Sequence, residues 1–316
     1  MTLTQLEYVV AVDTHGSFVA AAEKCFVTQP TLSMQIHKLE EELGVKLFDR
    51  SKQPVLATEI GREIIEQARA VLFENDKIKE IVSAQNSNVN GLLKVGVIPT
   101  LAPYVLPKFM SEFSRQYPDV QIQIWEYQTD TILDKLKKEQ LDCGLLATPL
   151  NDHQIKETPL FYEPFVAYIA NDSQLLGKKV LRPEELHMEE LWLLNEGHCM
   201  YNQVLNLCGE KMRTVLKNRK FNYRTGSVET LKRMVDTNGG ATILPELAIG
   251  DFTGEQMDMV RYFRTPEPVR EISVVTHRLY AKKKLIDAFS KVILSIIPEK
   301  MQAGDKKRQV VSLMEH

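Results

Sequence analysis

The sequence predicts an α/β chain with an all-α-plus-wing head, and three observations lead there. Three short helical periods end within the first 44 residues, one long helical stretch follows, and beyond residue 91 strand-like and helix-like runs alternate. At 316 residues the chain exceeds one typical domain of about 100–200 residues, so more than one domain is expected.

In the head, Leu3, Leu6, Val9, Val10 and Val12 keep a helical period until His15-Gly16 stops it. Ser17 caps a second helix carrying Phe18, Ala21, Ala22 and Cys25, and Thr28 or Gln29 with Pro30 opens a third that ends at Leu43-Gly44. The stretch VKLFDRSKQPVLAT has extended, hydrophobic arms around a polar turn and reads as a two-stranded wing. From Thr58 a helix runs on for about 30 residues with one early glycine, Gly61. Along it Ile64, Ala68, Val71, Asn75, Ile78 and Val82 fall at alternating steps of four and three, the seam of a paired helix, with Asn75 placed to fix register. The competing reading is a stripe that packs on its own domain.

QNSNVNG reads as a linker. Next come a strand at LLKVGVI, a helix over 101–117, a strand at VQIQIWEY, a helix over 129–138 and a strand at LDCGLLA, a pattern that implies a parallel sheet with covering helices. A second block has strands FVAYIA, LWLLN and ATILP with helical stretches over 200–207 and 227–235; EISVVTHR reads as a strand and LIDAFSKVILSII as a closing helix. The expected division is a winged helical head over 1–57, a linker helix over 58–85, a hinge over 86–91, an α/β domain over 92–302 and a mobile tail over 303–316.

No apolar run approaches the roughly 18–20 residues of a membrane span, so no membrane partner is expected. The opening MTLTQLEYVV lacks a basic, apolar leader, which predicts a cytoplasmic protein. Charge does not announce a polyanion binder: the net charge is -3, and residues 1–90 hold nine Lys and Arg against thirteen Asp and Glu. Four cysteines (Cys25, Cys143, Cys199, Cys208) are too scattered for a disulfide scaffold and form no CxxC pair. Cys25 and Cys143 lie on apolar faces and read as inert core thiols.

FVTQPTLSMQIHKLEEELGVKLFDR resembles the helix-turn-helix of LysR-type transcriptional regulators, and the resemblance extends along essentially the whole chain. It implies a winged helix-turn-helix, a long dimerisation helix and a two-lobed α/β regulatory domain like a periplasmic binding protein. It also implies double-stranded DNA as partner, a homodimer or homotetramer, and contact with RNA polymerase. Thr28, Gln29, Pro30, Thr31, Ser33 and Gln35 open the third helix, where polar side chains reach base edges and a helix N-terminus favours a phosphate. Arg50 and Lys52 on the wing are expected at the DNA backbone, while Glu40 to Glu42 read as a solvated face.

NEGHCMYNQVLNLCG resembles the redox segment of the peroxide-sensing, OxyR-like branch of that family. The resemblance makes Cys199 the thiol that attacks hydrogen peroxide and Cys208 the resolving thiol, with Thr100, Thr129, His198, Asn202 and Arg270 around the peroxide. Tyr201-Asn202 departs from an Arg-Asp pair of relatives, and Asn202 cannot take up a proton. The chemistry fits the residues, since His198, Arg270 and a helix starting near Met200 are all placed to lower a thiol pKa. Thr100 and Thr129 follow strands, where open α/β sheets bind ligands. If 200–208 is helical, nine residues separate the cysteines by about 13 Å. A disulfide tolerates about 4.4–6.8 Å between Cα atoms, so the helix must unwind.

Neither a cofactor nor a metal is expected, since a closed zinc site needs a fourth ligand that the spacing does not offer. Two rivals stand beside this reading: a LysR-type regulator binding a small organic effector with both cysteines merely structural, and a thiol peroxidase.

Overall fold

The computed structural model describes residues 1–84, 89–186, 188–209, 215, 223–278, 282–302 and 308–313. The chain forms two compact units, Met1–Asn88 with Leu279–Lys283, and Val89–Arg278 with Lys284–His316.

In the first unit, α1 (Leu3–His15) starts at a capping box between Thr2 and Gln5 and stops at Gly16, whose φ of 61° suits glycine. Ser17 caps α2 (Phe18–Lys24), and Thr28 caps α3 (Gln29–Leu43) with Pro30 in its first turn. Leu6, Val9, Val12, Ala21, Leu32, Ile36, Leu39 and Leu47 close the core between these helices. The wing is antiparallel, β1 (Phe48–Asp49) against β2 (Leu56–Ala57). The face of α3 carrying Ile36 and Leu39 also carries Glu40, which corrects the expected solvated face at that residue alone, since Glu41 and Glu42 are exposed. Glu40 is buried, accepting the Leu47 amide at 2.8 Å and Arg50 at 3.3 Å, so it ties the wing to the helix.

The long helix α4 (Glu59–Ala84) begins where the Thr58 hydroxyl accepts the Gly61 amide at 3.0 Å. Gly61 has a packing reason, because a Cβ there would lie 2.1 Å from the Leu47 carbonyl oxygen. The expected seam divides. Ala68 is buried in the head's core, with Ile64 packed partly against it, whereas Val71 and Ile78 are 45% and 64% exposed. Asn75 is half-buried, and the Val82 side chain lies outside the described residues. Arg69, bonded to Asp13 at 3.0 Å, ties α4 to α1, and Leu72 one turn on still packs against the head's core.

The second unit opens with β3 (Gly91–Val97), so the expected hinge ends one residue early; 85–88 lie outside the described residues. Strands β4 (Val120–Glu126) and β5 (Cys143–Thr148) flank β3 in parallel, with α5 (Ala102–Gln116) and α6 (Thr129–Lys137) in the crossovers. Phe109, Phe113 and Phe289 cluster in this lobe's core.

The expected parallel sheet holds for these three strands, and the sheet then continues antiparallel through β6 (Ile155–Ile169), of which FVAYIA is only the end. It runs antiparallel to β12 (Glu267–His277), with a register shift where Pro159 faces Ser273. Pro159 sits at this shift, where a strand tolerates proline, whereas Pro164 faces Val269 in the regular part of the ladder. The far end of β6 enters a second sheet, antiparallel to β10 (Ala241–Pro245) and to β11 (Val260–Phe263). That lobe adds β7 (Val180–Leu181), β8 (Leu191–Leu194) and β9 (Arg224–Thr225), with helices α7 (Cys199–Cys208), α8 (Val228–Asn238) and α9 (Gly254–Asp258). The predicted closing helix is α10 (Lys283–Ile296).

The tail is not wholly free, contrary to the expectation from sequence. Arg308–Val310 forms β13, parallel to Glu267–Val269, and Val311 is buried in the second lobe's core. Residues 303–307 and 314–316 lie outside the described residues.

Candidate functional site

On the head, Thr28, Gln29, Pro30 and Thr31 are exposed at the start of α3, and the Thr28 and Thr31 hydroxyls share a 2.8 Å hydrogen bond. A groove along this helix is lined by Gln29, Pro30, Ser33, Met34, His37, Lys38 and Glu41. Met34, His37 and Lys38 are not among the residues expected from sequence, although steps of four from Pro30 and Ser33 put them on the same side. Gln35 departs from expectation: it turns back to α1 and accepts from Gln5 at 3.4 Å. Arg50 is exposed but engaged within the head, donating to Ser33 and Glu40 with its guanidinium 4.7 Å from the Phe18 ring centre. Lys52 stays exposed beside Asp49.

The regulatory unit brings most of its expected residues together. Arg270, fully buried on β12, donates to the Thr100 hydroxyl at 2.9 Å and to the Thr100 carbonyl at 3.1 Å. Its other edge meets Glu163 of β6 at 2.9 and 2.7 Å, and Glu163 also accepts the Leu247 amide at 2.9 Å. Such a fork fixes the guanidinium plane. Sequence reasoning does not find Glu163, because it sits in a proline-flanked run that reads as irregular. The N-termini of two helices meet near this cation. Gln128 precedes α6, and its side-chain amide lies 2.5 Å from where a Cβ at Gly197 would stand, so the loop before α7 packs closely against that flexible side chain.

Cys199 occupies the first turn of α7, and its thiol is pushed up by burial, against which Arg270, the Thr129 hydroxyl and the backbone amides of Met200 and Cys199 pull down. Thr129 Oγ1 is buried and has no conventional hydrogen-bond partner among the described residues, yet it lies close enough to favour the thiolate. Of the three groups expected from sequence to stabilise the thiolate, Arg270 and the backbone amides at the helix start pull the thiol down, but burial outweighs them. His198 does not act so: it stands at the N-cap position of α7, beside Gly226, without a side-chain capping bond, and burial lowers its imidazole pKa below the ordinary value, leaving it neutral near pH 7. Asn202 is half-buried within α7.

Cys208 ends the same ten-residue helix, buried in the second lobe's core with its thiol pushed up to about 12 by burial and by Glu184. None of the four cysteines is in a disulfide; Cys143 is buried, and Cys25 and Cys199 are half-buried. Nine helical steps separate Cys199 and Cys208 by about 13 Å, beyond the reach of a disulfide. Among the described residues no three His, Cys, Asp or Glu side chains gather as metal ligands, and no helix is long and apolar enough to cross a membrane.

Residues 3–62 match the bacterial regulatory helix-turn-helix protein, lysR family, and residues 86–295 match the LysR substrate binding domain. The chain is 36% identical to the hydrogen peroxide-inducible genes activator of Haemophilus influenzae, over 87% of this chain and 90% of that one. Its fold is similar to a full-length OxyR variant with a cysteine-to-aspartate substitution from Pseudomonas aeruginosa, with a TM-score of 0.76, 33% identity, and coverage of 93% and 98% of the two chains. A hydrogen-peroxide-bound OxyR mutant from Corynebacterium glutamicum is similar at a TM-score of 0.60 and 28% identity, over 93% of this chain and 92% of that one. With both halves of the fold matched and the thiol at the start of α7 facing a buried arginine, the chain belongs to the LysR family, in the group that holds the hydrogen peroxide-inducible genes activators.

Proposed function

We propose that the chain is a cytoplasmic, DNA-binding transcription regulator that responds to hydrogen peroxide through a reversible Cys199–Cys208 disulfide. The observation that carries this reading is a cysteine at a helix N-terminus, facing a buried arginine and an unpartnered threonine hydroxyl, with a second cysteine on the same helix. In the first step the Cys199 thiolate attacks one peroxide oxygen. The S–O bond forms, the O–O bond breaks, and the departing hydroxide leaves as water on taking the thiol's proton. Thr129 and Arg270 favour the thiolate, and the Thr100 hydroxyl, which accepts from Arg270, keeps its own proton to donate. In the second step Cys208 sulfur attacks the Cys199 sulfenic acid, the S–S bond forms, the S–O bond breaks and a second water leaves. Two thiols and one peroxide thus give one disulfide and two waters.

The head reads DNA as a homodimer or homotetramer, and RNA polymerase is the partner through which a bound regulator acts. Intact-mass analysis before and after one equivalent of hydrogen peroxide tests the switch. The expected product has lost two hydrogens, with a peptide crosslink from Cys199 to Cys208. Cys208→Ser should stop at the sulfenic or overoxidised Cys199, and Cys199→Ser should not react. Peroxide that leaves the mass of both thiols unchanged would overturn the proposal.

A further inference from the structure

The chain's C-terminal segment is fastened to the helix whose ends carry Cys199 and Cys208. Val311 donates its amide to Val269 at 2.9 Å beyond the β13 pairing, and its side chain shares a buried cluster with Val204, Leu205 and Cys208. Two α7 side chains hold the segment from the other side. Gln203 donates to the Val311 carbonyl at 3.1 Å, and Asn206 donates to the Ser312 carbonyl at 3.0 Å. Both lie between the two cysteines. Gln203 is fully buried, and its carbonyl oxygen has no hydrogen-bond partner among the described residues.

Bringing Cys208 to Cys199 requires this stretch to leave its helical path, because about 13 Å must shrink to less than about 7 Å. Unwinding turns Gln203 and Asn206 away, strips two buried or half-buried carbonyls of their donors and removes the neighbours of Val311. Each loss raises the free energy of the unwound state. We propose that residues 308–313 clamp the redox helix, with Gln203 and Asn206 as positioning residues that keep Cys208 in the core until Cys199 is oxidised. The clamp governs the second step, in which Cys208 sulfur displaces water from the Cys199 sulfenic acid, and leaves the first step alone. The proposal rests on the redox reading of the two cysteines.

The test uses the full chain, a variant ending at Lys307, and the double variant Gln203→Met with Asn206→Ala, which keeps β13. Maleimide labelling of Cys208 in the reduced protein, without peroxide, reads the opening of the helix. Disulfide formation after one equivalent of peroxide reads the second step, and capture of the sulfenic acid in a Cys208→Ser background reads the first. Truncation should raise Cys208 labelling and disulfide formation each by about tenfold, the scale of two missing hydrogen bonds, with sulfenic capture unchanged. The double variant should give at least a severalfold rise in both, and it decides the matter if the truncated chain does not fold. Unchanged labelling overturns the clamp, and so does sulfenic capture that changes in step with the disulfide. If the full chain forms no disulfide, the redox reading fails by itself, and Cys208 labelling still decides whether the segment clamps the helix.

Discussion

Burial and the Arg270 guanidinium pull the Cys199 thiol in opposite directions, and burial wins. Thiolate at neutral pH is therefore scarce, and reactivity should climb with pH up to and beyond the ordinary cysteine range. Thr129→Val removes a group that favours the thiolate at nearly constant volume, so the midpoint of the pH dependence of Cys199 alkylation should move upward and the rate at pH 7 should fall severalfold. Glu163→Gln removes the negative charge that offsets Arg270 and should move that midpoint downward. Midpoints moving the same way in both variants would refute this balance. His198 makes a separate prediction. Its folded pKa is depressed, so the unfolded chain takes up the proton first as pH falls. Stability from this group is present above about pH 6.5 and is lost on acidification through the ordinary histidine value toward the folded one. Thermal melts between pH 7.5 and 5 should show a fall in Tm that is shallower in His198→Gln.

The long helix α4 does two jobs along its length, and the division follows from which residues its own head covers. Ala68 is buried there, so Ala68→Asp should place an unpaired charge in the core and unfold the head. Ile78, at 64% exposure, has no such cover in the single chain. Ile78→Asp should leave monomer stability within about 0.5 kcal/mol while shifting sedimentation from dimer to monomer and abolishing binding to a two-half-site operator. An intact dimer in that variant would rule out this part of α4 as the seam. Gly61 tests the other end. A methyl group there meets the Leu47 carbonyl at 2.1 Å, and Gly61→Ala should destabilise the head by about 1–3 kcal/mol, readable as a lower denaturation midpoint.

For the molecule as a whole, the acidic balance limits what electrostatics can supply to DNA binding. With Arg50 engaged by Ser33, Glu40 and Phe18, the freer wing cation is Lys52. Lys52→Ala should weaken binding to all sequences alike and reduce the salt slope by about 0.9 for each phosphate it leaves without a cation, one phosphate in each subunit. Thr31→Ala, at the exposed start of α3, should change base preference with the salt slope intact. Binding titrations at several salt concentrations on matched and mismatched operators separate the two. Identical effects of both variants would contradict the division between backbone and base recognition.

What was legible in the sequence is what depends on neighbours along the chain. Helix caps at Ser17 and Thr28, stops at Gly16 and Gly44, and the period of α7 are short-range matters of backbone hydrogen bonds and spacing, and all appear where the residues announce them. The site was legible in part for the same reason: Thr100, Thr129 and Cys199 stand where strands end or helices begin. Partners far apart in the chain were not legible. Nothing around residue 163 announces that its carboxylate will meet Arg270, 107 positions away, or that β6 will run through two prolines to serve both lobes. The same holds for Glu40 beneath the wing, for Ala68 in the head's core and for Val311 against α7. Desolvation belongs to this second class, since the pKa of Cys199 and the neutrality of His198 are set by how much chain surrounds them, and only the folded structure assembles that surrounding.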